Sequence, residues 1–266
     1  MSQKILLEVQ NHIATITLNR PEVKNALTEP MCAELAKIIK ALKDDTSVRV
    51  VILAAIGNDF CVGADLKELS NGLPEDPVER GEIMQGKVKN VAWPIFQGLH
   101  ELPQPIITCV RGHAIGAGAQ MMLSSDLCIA STTTRFLLPQ ANLAHPVDHG
   151  ESYYLPRKVG LTKAMQLTLL AETLSGEEAA GIGLVNWCVE DTNLEQKTEE
   201  VAEKLANAAP LAIREIKSLL LQSGDNSLYQ QYAIEADALK RCASSDDFME
   251  AITAFTEKRK PSFKGS

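Results

Sequence analysis

At 266 residues with 45% hydrophobic side chains, the chain is long enough to bury a large α/β core, or a core with a small appendage. A net charge of −8 and a pI near 5.2 argue against a nucleic-acid binder and leave any anionic ligand to be met by locally placed lysines. The six cysteines lack metal-type spacing and no stretch reads as a secretory or membrane-spanning segment, so a cytoplasmic protein with free thiols and no metal site is expected.

In chain order, β-rich runs over 4–9 and 12–18 flank Gln10 and Asn11 and read as a hairpin. Thr28 caps a helix whose apolar residues Met31, Leu35, Ile38, Ile39 and Leu42 recur at helical spacing. A buried strand follows over 48–54, so strands and helices alternate at crossover distance, the pattern of an α/β fold. The stretch 70–94 is polar and punctuated by glycines and prolines, and reads as a mobile connection around a helix of uncertain limits. Residues 105–110 are β-branched and lead into RGHAIGAGAQMMLSSD at 111–126, a strand, a glycine-rich turn and a helix start. The first amides of such a helix, near Ala117 and Gly118, have no intrahelical acceptor and suit an oxygen that gains charge during a reaction. Tight packing alone is the other reading of those glycines. NDFCVGADLK at 58–67 is a second amide-presenting turn after a strand, so two donors can converge on one oxygen.

A strand over 126–130 precedes a long irregular segment, 136–150, of the kind that carries function. A helix over 162–171, a capping box from Ser175 to Glu178 and a strand over 184–189 come next. From Asn193 the pattern is helical and broken at Pro210, which divides the chain into a core, 1–192, and a helical subdomain, 193–266.

Four stretches, NRPEVKNAL at 19–27, FCVGADLKEL at 60–69, RGHAIGAGAQ at 111–120 and AFTEKRKPSF at 254–263, resemble the crotonase (enoyl-CoA hydratase/isomerase) superfamily from end to end and in its order. The resemblance implies a spiral of ββα turns with C-terminal helices that assemble homotrimers, often paired into hexamers. It also implies an acyl-CoA substrate, with coenzyme A entering as part of the thioester and no separate cofactor. By motif, the two oxyanion donors are the amides of Ala64 and Ala117. Lys24 and Lys67 fall near the CoA phosphates and the backbone around Val62 near the adenine, while Phe255 and Lys258 come from a neighbouring subunit.

The acid and base groups depart from that pattern. Hydratases of the superfamily carry two glutamates where this chain has Gln120 and Gln140, and an amide neither gives nor takes a proton at neutral pH. Asp148 stands eight residues after Gln140, a spacing similar to the catalytic aspartate of dienoyl-CoA isomerases, and dehalogenases and hydrolases of the superfamily also use an aspartate nearby. It is a candidate base or nucleophile, or else a cap for the helix that follows. His145 and His149 flank it, while Glu151 is a lesser candidate because loop acids usually face water. Isomerisation or hydrolytic chemistry through Asp148 is expected ahead of simple hydration. The alternatives are a largely non-catalytic CoA-thioester-binding subunit, or a hydratase with a substitute carboxylate.

Overall fold

The amino-terminal runs pair as a hairpin because two adjacent residues, Asn11 and His12, adopt positive φ (51° and 67°), the turn geometry whose twist matches that of the strands. In the computed structural model, which describes residues 3–266, β1 (Ile5–Gln10) is antiparallel to β2 (Ile13–Leu18). Helix α1 (Glu29–Lys43) starts at Thr28, whose hydroxyl accepts from the Met31 N–H, and buries Met31, Leu35, Ile39 and Leu42. Strand β3 (Val50–Ala55) then returns parallel to β2.

The stretch read as a mobile connection is helical over most of its length. Helix α2 (Leu66–Ser70) is followed by α3 (Pro77–Lys87), a π-helical turn (Val88–Ala92) and α4 (Trp93–Glu101), which run on without a break. The punctuation misleads for local reasons. Pro77 occupies the first turn of α3, where no N–H is needed, with Asp76 accepting from the Val78 and Glu79 N–H groups. Pro94 is the second residue of α4, just past the π turn, where the regular ladder is already interrupted. Met84, Val88, Val91 and Ile95 recur at helical spacing and line one pocket.

Strand β4 (Ile106–Val110) leads to the short β5 (His113–Ile115) and α5 (Ala117–Leu123). Then come β6 (Leu127–Ser131), β7 (Arg135–Leu137), α6 (Glu151–Val159), α7 (Leu161–Leu170), β8 (Leu174–Ser175), α8 (Gly176–Gly181) and β9 (Trp187–Val189). The expected capping box is present, Ser175 and Glu178 serving each other's backbone N–H at 2.8 and 3.1 Å. The main sheet has the order β1-β2-β3-β4-β6-β9, parallel from β2 onward, and a small sheet has the order β5-β7-β8.

Strand alternation sends Val51, Leu53, Ile106 and Ala130 into the principal core against α1 and α4. Val50, Ile52, Ile107 and Ile129 face the other side, where Leu194, Val201, Ala202 and Ala206 of α9 (Leu194–Ala206) cover them. Covering both faces is why the parallel strands read as unbroken apolar runs. Helices α10 (Pro210–Gln222), α11 (Leu228–Ala243) and α12 (Asp246–Glu257) complete the chain. The buried Lys217 ammonium ties α10 to the sheet, 2.7 Å from Asp126 Oδ2 and 2.9 Å from the Gln104 carbonyl oxygen. Among the described residues no helix is long and apolar enough to cross a membrane.

Candidate active site

The two amide-presenting turns are interlocked by backbone contacts. The Cys61 N–H donates to His113 O and the Ile115 N–H to Cys61 O, both at 2.9 Å. Gly118 has no room for a side chain, since a Cβ there would stand 2.3 Å from Cys61 O. Gly116, at φ 53° and ψ −121°, takes a backbone conformation that a Cβ disfavours, and it starts α5 at Ala117. On the facing turn, a Cβ on Gly63 (φ 89°) would lie 3.3 Å from the Ala117 nitrogen. Among the described residues neither the Ala64 nor the Ala117 N–H has a protein acceptor, and both residues line the same pocket. Two free donors at one cavity wall are what an oxygen gaining negative charge requires.

The 19–27 stretch buttresses the first turn. Val62 N–H donates to Lys24 O (3.2 Å) and Leu27 N–H to Gly63 O (2.8 Å), and the Arg20 guanidinium lies 2.8 Å from Asp65 Oδ2. That guanidinium holds the Asp65 carboxyl below its usual range.

The pocket encloses about 760 Å³ of space including its open mouth. Leu27, Cys32, Met84, Val88, Ile95 and Phe96 supply apolar lining, while His145, Asp148 and His149, with the backbone at Ala64 and Ala117, supply its polar groups. At the rim Lys87 on α3 bridges to Glu29 on α1, Nζ to Oε1 at 2.6 Å.

Asp148 belongs to a cluster of carboxyls and amides. The Gln120 Nε2 on α5 donates to Asp148 Oδ1 (2.7 Å) and to Glu151 Oε2 (2.9 Å), and the Gln140 Nε2 donates to the same Glu151 oxygen (2.8 Å). Asp148 Oδ2 is 3.2 Å from His149 Nε2 and 3.9 Å from His145 Nε2. His149 stacks on Phe96 with ring centroids 4.5 Å apart, and burial depresses its pKa against the pull of the Asp148 charge. The loop that carries them holds Ala144, His149 and Gly150 at positive φ, a conformation maintained only by surrounding contacts.

Two expectations change here. Asp148 does not cap α6 through its side chain. The cap residue is Gly150, and Asp148 offers only its carbonyl to the Glu151 N–H (2.9 Å) while its carboxylate takes the Gln120 amide. Glu151, ranked low as a solvent-facing loop acid, is 1% exposed and is the first residue of α6. Burial pushes its pKa up to about 7, the Asp148 charge adding to the effect while the bonds from Gln120 and Gln140 oppose it. In the structure Glu151 shares the buried face of α6 with Leu155, one helical turn on.

The remaining expected residues lie outside this pocket's lining. Lys24 Nζ is 3.4 Å from His113 Nδ1 and 3.9 Å from Asp59 Oδ2, on the outer side of the first turn. Val62 is half-buried beside it, and Lys67 is exposed in the first turn of α2. Phe255 is 86% exposed near the end of α12, and Lys258 closes that helix in a left-handed conformation.

A family model described as enoyl-CoA hydratase/isomerase matches residues 8–266. A trans-2-decenoyl-[acyl-carrier-protein] isomerase of Streptococcus mutans is 34% identical over 99% of this chain and 98% of its own. A 1,2-epoxyphenylacetyl-CoA isomerase of Escherichia coli is 33% identical over the whole of both chains. Among solved structures, an enoyl-CoA hydratase from Bacillus anthracis superposes with a TM-score of 0.93 at 32% identity, over 99% of this chain and 100% of that one.

Proposed function

The chain belongs to the enoyl-CoA hydratase/isomerase family, and on that premise we propose that it is an acyl-CoA isomerase in which the Ala64 and Ala117 amides hold the thioester oxygen and Asp148 moves the proton. The thioester carbonyl lies between the two N–H groups, which strengthen their hold as the oxygen becomes an enolate. Asp148 takes a proton from one carbon of the acyl chain, the electron pair spreads into a dienolate, and the proton returns to another carbon. The double bond migrates and no water is added or lost.

The observation that carries this reading is the amide character of both hydratase positions combined with a carboxylate at the pocket wall. Gln120 and Gln140 are turned to Glu151 and Asp148 as donors and have no proton to exchange. Of the pocket's other acids, Glu29 is bridged to Lys87, Asp65 to Arg20, and Glu68 accepts from the Glu29 N–H at 3.3 Å, whereas Asp148 has two imidazoles beside it. The two relatives named as isomerases support the same chemistry. The apolar lining suits an uncharged acyl tail, and Lys24 and Lys67 near the first turn suit CoA phosphates. Self-association into trimers, with Phe255 and Lys258 lent to a neighbour, gives a use to apolar residues such as Tyr229 (83% exposed) and Phe255.

The test is incubation with 2-enoyl-, 3-enoyl- and dienoyl-CoA thioesters in deuterated water, followed by chromatography and mass spectrometry. Isomerisation yields a separable product with no added water, carrying deuterium in proportion to proton exchange at the base. A product heavier by one water assigns hydration instead, and binding without turnover on the whole panel assigns a thioester-binding protein.

A further inference from the structure

Two oxygens buried in the site have no donor, Oε1 of Glu151 and Oε1 of Gln140. Their side chains are already joined, since the Gln140 Nε2 donates to Glu151 Oε2 at 2.8 Å. The Gln120 Nε2 has two hydrogens and three acceptors in reach: Asp148 O (3.3 Å), Asp148 Oδ1 (2.7 Å) and Glu151 Oε2 (2.9 Å). Two carboxyl groups thus share one amide. Among the described residues no lysine or arginine pairs with Glu151, and the titratable groups around it are Asp148, His145 and the buried His149. A fully ionised pair would place two negative charges on one bridging amide, with one carboxylate oxygen left buried and bare, an arrangement of high cost.

We propose that Glu151 is a positioning residue for proton transfer: a neutral carboxylic acid in the working enzyme, donating from Oε1 to Gln140 Oε1 and holding Gln120 as the bridge that orients Asp148. One proton then gives both bare oxygens the hydrogen bond they lack. Of the two acids that share the Gln120 amide, only Asp148 then carries a negative charge, and the acid behind it keeps the aspartate from turning away. The inference rests on Asp148 as the proton-transfer group. It adds a residue that touches no substrate and acts through Gln120. When Glu151 ionises, a second negative charge stands behind the base and opposes the enolate forming at the two amides.

The test combines infrared spectroscopy of glutamate-labelled protein with kinetics from about pH 5 to about pH 9, on the wild type, Glu151→Gln and Asp148→Asn. In the wild type a carbonyl band of a neutral carboxylic acid is expected, titrating near 7, and Glu151→Gln lacks it. In Asp148→Asn the band persists with a lower midpoint, because one charge that favours the acid form is gone. This arm needs neither activity nor the Glu151 variant to fold. The wild-type kcat is expected to fall about tenfold as Glu151 ionises, with KM little changed, and Glu151→Gln removes that limb. A helix-packing role would change melting temperature alone and leave the profile in place. A labelled spectrum without the neutral-acid band at pH values near 6, or an unaltered basic limb in Glu151→Gln, overturns the inference. Full activity in Asp148→Asn overturns the proton-transfer reading together with the positioning role. An inactive Asp148→Asn with an ionised Glu151 overturns the inference alone.

Discussion

Replacing Glu151 with glutamine should make the protein more stable than the wild type at alkaline pH and bring the two closer together in acid. In the folded chain the Glu151 pKa rises from 4.5 to about 7, chiefly through burial. Below pH 4.5 folded and unfolded chains both hold this proton, so the group contributes no difference. Between 4.5 and about 7 the unfolded chain has released it while the folded chain keeps it, and wild-type stability falls as pH rises. Above about 7 both have released it and the loss is complete. At about 1.4 kcal/mol per pKa unit the loss amounts to about 3 kcal/mol, an upper value because local relaxation lets water in. Glutamine has no proton to lose, so the variant lacks this slope and still fills the space between Gln120 and Gln140. For large domains about 2–4 °C of melting temperature accompanies each kcal/mol, so the gap between the two proteins should widen by about 6–12 °C from acid to alkaline buffer. Calorimetry at matched ionic strength and protein concentration measures it. Melting curves that stay parallel across the range would mean that Glu151 ionises in the folded state near its ordinary value, and the account of its burial would be wrong.

Asp148→Asn should lower kcat by about 10²–10⁴-fold while acyl-CoA affinity, followed by calorimetry, stays close to that of the wild type. Gly118→Ala should lose about 2 kcal/mol and most turnover, because its Cβ meets Cys61 O at 2.3 Å and drives α5 from the facing turn; Gly81→Ala in α3, which meets nothing within 4 Å, should be neutral or slightly stabilising in the same urea titration. A Lys24→Ala, Lys67→Ala double variant should bind CoA thioesters more weakly than the wild type, which itself loses affinity as salt is added, and an unchanged titration would remove both lysines from the CoA site. Light scattering at micromolar concentration should report an assembly larger than one chain, since Leu220, Tyr229, Tyr232, Leu239 and Phe255 are left exposed on the C-terminal helices; a monomer would refute that use of them.

Features that depend on near neighbours in the chain were legible in the sequence. Helix α1 is set by its Thr28 cap and apolar stripe, β3, β4 and β6 by β-branched runs, and α8 by a capping box four residues long. The two amide turns announced themselves through glycines at strand ends; motif matches singled out Ala64 and Ala117, and the spacing from Gln140 singled out Asp148 with His145 beside it, and these four line one pocket. Tertiary structure decided the rest. Strands β5, β7 and β8 are two or three residues long, too short for any periodicity, and exist because segments far apart in the chain pair. Helix α9 is amphipathic by sequence, but only the fold lays it over β3, β4 and β6 as the second face of the sheet. Glu151 is the sharpest case, because its type and its neighbours in sequence suggest a solvated acid. Its environment is made instead by α6 docking on α5, which brings Gln120, 31 residues away, onto a carboxylate oxygen that Gln140, 11 residues away in the turn before α6, also reaches, and burial removes the solvation that would have kept it charged.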